Sequence, residues 1–259
     1  MRIVIKIGTS TLTHRSGLLN IRRVEHLCKV FSDLKNAGHE LVIVSSGAIG
    51  VGVGKLSLKE KPADIPTKQA AAAVGQCELM YIYDKLFAEY NHTVAQILIT
   101  GEDIESPKRA ENFHNTIFRL LELGALPIIN ENDTIAVDEI VIGDNDTLGA
   151  IVASTIGADL LILLSDIDGL FTADPQRDPA AKLIPVVEAI TPEMEAAARG
   201  AGSALGTGGM QTKLAAAKIA TGAGVEMVIA NGTRPGALYD IVEGKPCGTR
   251  FLSKGEKKA

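Results

Sequence analysis

Six short apolar runs, separated by longer stretches of other character, constrain the fold of this chain more than any other feature. The runs are rich in β-branched residues and occupy residues 3–7, 41–44, 94–99, 126–129, 160–164 and 225–229. Ala and Leu with helical spacing mark residues 24–37, 68–90, 112–123 and 212–223. Continuous apolar strands that alternate with helices are typical of a parallel sheet buried on both faces. The sequence therefore predicts an α/β fold, a three-layer α/β/α sandwich around a mostly parallel open sheet.

Small or polar residues follow four of the predicted strands, at 8–10, 45–47, 130–133 and 165–166. Ligands of open parallel sheets bind beyond the carboxyl ends of the strands, so these segments predict the rim of a site. The cluster at 130–133 reads Asn-Glu-Asn-Asp, and a second, Gly-Asp-Asn-Asp at 143–146, follows an apolar run that resembles another strand end or a small hairpin over 135–142. Either cluster alone would suit a turn, because Asn and Asp bond their own backbone. Together they predict a substrate site.

Composition restricts the class of partner. With 259 residues, 46% of them hydrophobic, the chain can bury a large core, and we expect one domain. The net charge of −5 gives no general attraction to nucleic acid or to an anionic membrane. The start lacks the pattern of a signal peptide, no run approaches the about 20 apolar residues of a membrane span, and the three cysteines are widely separated. We expect a soluble cytoplasmic protein with a frayed tail at 253–259, without nucleic acid or membrane partners.

Two motifs suit a phosphate group. Lys6 ends the first predicted strand, and the glycine that follows at position 8 lets backbone amides approach an anion. Residues 206–213, Gly-Thr-Gly-Gly-Met-Gln-Thr-Lys, precede a helix whose free amides and dipole favour negative charge, with Lys213 in its first turn. This is not a Walker loop, because Lys213 follows a threonine. The alternatives are a lysine that extends from an edge strand into solvent and a flexible glycine-rich surface loop.

Other motifs are weaker. Ser46, before a predicted helix, could help to hold an anion or could simply be an N-cap. The glycines at 50, 52 and 54 suit close helix packing as well as ligand contact, and residues 165–175 alone are ordinary turn chemistry. Prolines 62 and 66 mark a surface loop, and residues 173–184 mark another. The five histidines show no metal-ligand spacing, so no protein metal site is predicted.

Five segments, in this order and spacing, resemble the amino acid kinase superfamily. They are residues 6–10, 45–49, 129–133, 141–146 and 206–213. The resemblance is closest to the branch that phosphorylates glutamate in proline biosynthesis, and it covers nearly the whole chain. Many members of that branch carry a further C-terminal domain resembling RNA-modifying enzymes, and this sequence stops before it.

The resemblance implies ATP-dependent phosphorylation of the side-chain carboxylate of L-glutamate, with Mg²⁺ on the nucleotide. By matching position, Lys6 and Lys213 would stabilise the transferring phosphoryl group and Asp146 would orient them. Glutamate would be held by Ser46, Asp133 and Asn145, with Asp144 as a further organiser, mainly in residues 1–150. ATP would be bound mainly in residues 151–252. Its predicted contacts are Lys6, Ser165, Asp166, Thr207, Gly208, Gly209, Met210, Gln211, Thr212 and Lys213.

Several alternatives remain at this point. The chain could phosphorylate acetylglutamate, aspartate or a nucleoside monophosphate, although the aspartate branch would read Gly-Gly-Thr where this chain has Ile7, Gly8 and Thr9. It could also be a non-catalytic amino acid sensor, which would have no need of both Lys6 and Lys213. We further expect a homo-oligomer, and proline as a possible feedback inhibitor. The helix predicted over 68–90 could be an interface, although its Met-Tyr-Ile-Tyr segment at 80–83 suits core packing better.

Overall fold

The fold is described from a computed structural model that covers residues 1–14, 16–135, 144–175, 177–198 and 209–253. Within these residues eight strands form one sheet: β1 (Arg2–Ile7), β2 (Glu40–Ser45), β3 (Val94–Ile99), β4 (Leu126–Glu131), β5 (Leu160–Ser165), β6 (Val186–Val187), β7 (Glu226–Asn231) and β8 (Thr249–Phe251). The strand order is β3-β4-β2-β1-β5-β7-β8-β6. Among these eight strands the one antiparallel pair is β7 with β8, so the predicted mostly parallel sheet is confirmed.

Helices cover both faces of the sheet. They are α1 (Thr9–Leu12), α2 (Ile21–Asn36), α3 (Ala48–Lys55), α4 (Ile65–Ala88), α5 (Gly101–Glu105), α6 (Pro107–Glu122), α7 (Asn145–Thr155), α8 (Pro192–Ala198), α9 (Met210–Gly222) and α10 (Ala237–Val242). Along β1, Ile3 and Ile5 belong to one core cluster, with α2 and α4, and Val4 belongs to the other, with α7 and α9. Successive strand residues point to opposite faces, so the sheet separates two cores. The predicted three layers are thereby confirmed.

All six predicted strands and four predicted helices are present, with some boundaries moved. Helix α4 begins at Ile65, so Pro66 lies in its first turn and not in the preceding loop, while the Asp64 side chain accepts the Thr67 N–H at 2.9 Å. Proline suits the first helical turn because the amide it lacks would have no partner there. In the 80–83 segment Tyr83 is buried and Tyr81 is 62% exposed, so core packing explains only part of it.

The interpretation of residues 143–146 as a strand end was wrong for its described part. Asn145 and Asp146 lie in the first turn of α7. The carboxylate of Asp144 accepts the backbone N–H groups of Asp146 and Thr147, at 2.6 and 2.9 Å, which is the geometry of an N-cap. The proposed hairpin at 135–142 lies, from residue 136 on, outside the described residues.

The described helices include none that is long and apolar enough to cross a membrane.

Close packing of α3 on α4 explains one predicted glycine motif. A Cβ on Gly52 would lie 1.8 Å from the carbonyl oxygen of Ala71, and one on Gly75 would lie 1.8 Å from that of Ala48. Any side chain at these two positions would force the helices apart, so Gly52 serves packing.

Candidate active site

Two lysines and one aspartate, brought together from three elements, form an ion triad (Lys6, Asp146 and Lys213) beyond the carboxyl end of β1. The Lys6 Nζ lies 2.6 Å from Oδ1 of Asp146, and the Lys213 Nζ donates to Oδ2 at 3.0 Å. The residues are 8%, 1% and 4% exposed, in chain order. Lys6 extends from β1 on the face that carries α7 and α9, because Val4, two positions earlier, packs there. The fold therefore places both predicted catalytic lysines on one carboxylate.

The charge balance of the ion triad favours an anion. Burial opposes ionisation of Asp146, but Lys6 and Lys213 together outweigh it and hold the pKa of Asp146 below its ordinary value. Two ammonium groups then share one carboxylate, so the three groups carry a formal charge of +1. A net positive charge among buried side chains attracts a phosphate more strongly than a lysine in water would.

The first turn of α9 adjoins the ion triad. The hydroxyl of Thr212 lies 3.1 Å from Oδ2 of Asp146 and 2.8 Å from the carbonyl oxygen of Gly209, and its single hydrogen can be donated to either acceptor. Gly209 is the N-cap residue, its backbone is extended, and as a glycine it has no side chain with which to cap the helix. Met210 and Gln211 complete the turn, so its amides can face an anion. Thr207 and Gly208 lie outside the described residues.

Neutral polar groups form a second cluster next to the ion triad. Asn145, one residue before Asp146, uses its Nδ2 group to donate to Ser46 Oγ at 2.8 Å and to Asn130 Oδ1 at 2.9 Å. Ser46 is not an N-cap: Gly47 holds that position in α3, with a φ of 100° that favours glycine. The side chain of Ser46, which caps no helix, instead accepts a hydrogen bond from the predicted substrate residue Asn145.

The end of β4 supplies an acid pair (Glu131 and Asp133). Burial, with the nearby carboxylates of Asp133 and Asp144, raises the pKa of Glu131 to about 7, and burial raises the pKa of Asp133 to about 6. Among the described residues, no cation offsets the rise in the pKa of either carboxylate. A ligand that brings an ammonium group would supply that cation.

The neighbouring strand ends carry the remaining predicted nucleotide residues. Ser165, at the end of β5, is buried and its hydroxyl donates to the exposed Asp166 at 3.1 Å. On adjacent β7, the amide of Asn231 donates to Asp168 at 2.9 Å, and Arg234 lies 3.3 Å from the same oxygen. Ser165 and Asp166 therefore lie beyond the same sheet edge as the ion triad, and their contact with a nucleotide stays a prediction.

Sequence reasoning gave no role to three residues of the site. Asn130 and Glu131 belong to the Asn-Glu-Asn-Asp cluster at 130–133, and their place in that cluster was the signal that could have assigned them to the site. Gln76 is different: it lies in the middle of α4, yet its Oε1 accepts from Asn130 Nδ2 at 2.9 Å. A glutamine within a helix carries no local signal of such a contact.

Comparison with known proteins points to a kinase, in agreement with the phosphate-binding character of the site. Residues 1–231 match the amino acid kinase family. The chain belongs to that family. It is 54% identical to the glutamate 5-kinase of Clostridium perfringens, covering 98% of this chain and 96% of that protein, and 56% identical to that of Clostridium acetobutylicum, with the same coverage. Within the family, the chain therefore stands with the glutamate 5-kinases, which are phosphotransferases, as the sequence predicted.

Relatives of two lengths occur. The chain is 52% identical to the glutamate 5-kinase of Moorella thermoacetica but covers 67% of it. Among solved structures, carbamate kinase from Giardia lamblia bound to AMP-PNP has a TM-score of 0.69 at 18% identity, with 98% of both chains covered. UMP kinase from Bacillus anthracis has a TM-score of 0.66 at 17% identity, covering 98% of this chain and 96% of that one. At this identity the two structures show a shared fold alone.

Proposed function

We propose that this chain transfers the γ-phosphoryl group of ATP to the side-chain carboxylate of L-glutamate, which yields L-glutamyl 5-phosphate, the first intermediate of proline biosynthesis. The observation that carries the proposal is the ion triad, in which two buried lysines share one carboxylate next to the polar cluster of Ser46 and Asn145. The names of the relatives point to the same reaction.

The reaction requires alignment of the two substrates and stabilisation of the negative charge on the phosphoryl group more than it requires acid–base catalysis. A glutamate carboxylate, with a pKa of about 4.3, is ionised at neutral pH, so no general base is required. One of its oxygens attacks the γ-phosphorus, the bond from that phosphorus to the bridging oxygen breaks, and ADP leaves with the electron pair. The phosphoryl group carries its charge on three oxygens during transfer, and Lys6 and Lys213 stabilise that charge. Asp146 keeps both lysines in place.

The amino acid binds on the side of the polar cluster, mainly in residues 1–150. Asp133 accepts hydrogen bonds from the α-ammonium group of glutamate, while Ser46 and Asn145 bind its polar groups. Asp144 organises this side by capping α7, which sets the positions of Asn145 and Asp146. A direct contact of Asp144 with the substrate stays a prediction.

ATP binds mainly in residues 151–252. The first turn of α9, from Gly209 to Lys213, receives its phosphates, and Thr207 and Gly208 belong to the same predicted loop. Ser165 and Asp166 contact the nucleotide from the end of β5. This division assigns one substrate to each half of the sheet, and the two halves meet at Lys6.

Mg²⁺ fits this site as an ion that arrives with the nucleotide. Among the described residues, no group of three His, Cys, Asp or Glu side chains has the geometry of a metal site. Mg²⁺ commonly keeps several waters and binds phosphates with one or two carboxylates, so it needs no larger protein cage. When bound, it would neutralise charge on the β- and γ-phosphates.

We also propose that the reaction takes place in the cytoplasm. The three cysteines are free thiols, which suits the reducing conditions of the cytoplasm. Self-association and inhibition by proline stay predictions. Sedimentation of the chain, and its rate in the presence of proline, would test them.

Trapping of the acyl phosphate with hydroxylamine tests the proposed function. The assay would compare glutamate, N-acetylglutamate and aspartate, with UMP followed by ADP release. We expect hydroxamate from glutamate and none from the enzyme without ATP. A chain that binds glutamate in calorimetry but forms no hydroxamate and releases no ADP would be a sensor, and activity with another acceptor alone would identify a different kinase.

A further inference from the structure

A chain of three side-chain amides (Gln76, Asn130 and Asn145) leads from helix α4 to the start of α7. Asn130 donates from Nδ2 to Oε1 of Gln76, and it accepts at Oδ1 from Nδ2 of Asn145, both at 2.9 Å. Gln76 is 9% exposed and Asn130 is 2% exposed. Gln76 has no role in the mechanism above, although it is joined to a predicted substrate residue through one intermediate.

Backbone groups determine the direction of this amide chain. The N–H of Glu131 can only donate, and it donates to Oδ1 of Asn130 at 2.9 Å. The Nδ2 group of Asn130 must therefore face Gln76, which has to offer its oxygen. At the other end, the carbonyl of Ser45 can only accept. It lies 3.3 Å from Nδ2 of Asn145, whose two hydrogens point to the nearer acceptors on Ser46 and Asn130, so it also favours the amide nitrogen on this side. Both ends demand the same orientation of all three amides.

This orientation decides what the site offers to a ligand. Since Ser46 Oγ accepts a hydrogen bond from Asn145, its own hydrogen is available to donate to a carboxylate oxygen. With its Nδ2 group used inside the protein, Asn145 presents Oδ1, an acceptor suited to an ammonium group. Reversal of the Asn145 amide would exchange these properties, so the site would offer a donor to a cation.

We infer that Gln76 is a positioning residue for the amino acid substrate, which acts through Asn130 to hold the amide of Asn145 in the orientation that binds glutamate. The inference rests on the proposed function. Gln76 itself touches no substrate. Its contribution is an acceptor for Asn130, because a buried amide without an acceptor is costly and would favour other orientations of Asn130.

Another contact of the same helix provides a matched control. About two helical turns further along α4, the hydroxyl of Tyr83 forms a buried hydrogen bond of 2.9 Å with Oγ of Ser45. This bond also joins α4 to the sheet, but it uses the side chain of Ser45, whereas Asn145 contacts the backbone carbonyl of that residue. Loss of the Tyr83 hydroxyl should lower stability without changing the orientation of Asn145.

The experiment compares Gln76→Met, Gln76→Glu and Tyr83→Phe with the unaltered chain, measuring kcat and both KM values. Gln76→Met has a similar volume and no strong acceptor, so we expect KM for glutamate to rise about 10-fold or more and KM for ATP to change less than about 2-fold. Gln76→Glu keeps the acceptor and should stay within about 3-fold for both substrates. Tyr83→Phe should lower the melting temperature and leave both KM values nearly unchanged.

Three results would overturn the inference: a normal KM for glutamate in Gln76→Met, equal losses in the Met and Glu variants, or an equal rise of KM for ATP. If Gln76→Met does not fold, Gln76→Leu replaces it, since leucine also lacks an acceptor. An unaltered chain that does not phosphorylate glutamate would contradict the proposed function instead. A fully active chain whose Gln76 variants behave normally would contradict this inference alone.

Discussion

The ion triad and the acid pair occupy the same edge of the sheet, yet their charges are arranged in opposite ways. In the ion triad each charged group has a partner, and the two lysines keep the pKa of Asp146 low. In the acid pair, burial raises the pKa of Glu131 to about 7 and of Asp133 to about 6, and no cation among the described residues offsets this rise. The ion triad is assembled before substrate binds and keeps one positive charge in excess, whereas the acid pair gains its counter-charge from a cationic group of the substrate.

This difference in charge explains how one end of the sheet can bind two anions, ATP and glutamate. ATP and the glutamate side chain repel each other, so the excess positive charge lies where the phosphoryl group passes between them. The excess negative charge lies where only an ammonium group is favoured. Each region thus selects the part of the substrate whose charge it lacks.

The largest expected effect comes from breaking the ion triad at Lys213. Lys213→Ala should lower kcat by a factor of about 10² to 10⁴, since one preorganised positive charge is lost from the transition state. KM for glutamate should change much less, because the acid pair remains. Steady-state kinetics with both substrates varied measures the two effects.

Lys218→Ala is the matched control. Lys218 lies on the same helix, is half-exposed and pairs with Glu195. Its loss should leave kcat unchanged. A normal kcat in Lys213→Ala would remove Lys213 from the mechanism and with it the proposed role of the ion triad.

A change of substrate probes the acid pair without altering the protein. N-acetylglutamate has no positive charge at its nitrogen, so its binding would leave the acids unpaired, and kcat/KM should fall by at least about 30-fold relative to glutamate. Aspartate should also fail, because its carboxylate lies one methylene short of the phosphorus. The hydroxamate assay measures both ratios, and similar rates for the three compounds would contradict the assignment of glutamate.

Asp133→Asn separates the two regions by their substrates. The asparagine keeps the size and loses the charge, so KM for glutamate should rise about 10-fold while KM for ATP changes little. Asp84→Asn, which removes an exposed carboxylate on α4, should change neither value. An equal rise of both KM values in Asp133→Asn would mean that Asp133 supports the fold and does not bind the amino acid.

The sequence predicted the sheet and the lysines because both depend on local patterns. Apolar runs that alternate with helices define the parallel sheet, and a parallel sheet brings the ends of β1 and β5 to one edge regardless of loop details. Lys6 and the glycines before Lys213 could therefore be assigned to one site without knowledge of the distances.

The remaining features depend on contacts between distant segments. Gln76 meets Asn130 across 54 positions of sequence, and nothing near Gln76 indicates this. The pKa values of the acid pair depend on burial, which the sequence around Glu131 does not specify. Helix α7 was missed because its first residues, Asn145 and Asp146, resemble a turn until Asp144 is seen to cap them.

The smallest expected effect concerns the stability cost of the acid pair. Folding raises the pKa of Glu131 from 4.5 to about 7, so the folded chain binds this proton more tightly than the unfolded chain does. By linkage, the carboxylate then destabilises the fold at pH values above 7, and the cost vanishes below about 4.5, where both states are protonated. Since Glu131 is only half-buried, solvent reduces the effect to about 1 kcal/mol.

Glu131→Gln should therefore raise the free energy of unfolding by about 1 kcal/mol at pH 8 and leave it unchanged at pH 4.5. Urea denaturation at the two pH values measures this difference. Glu122→Gln, which alters an exposed pair with Arg119, should change stability by less than about 0.5 kcal/mol at either pH. An equal gain at both pH values would show that Glu131 affects packing and not charge. A gain confined to high pH would mean that the site keeps an uncompensated carboxylate at the expense of stability, as expected if the ammonium group of the substrate supplies its partner.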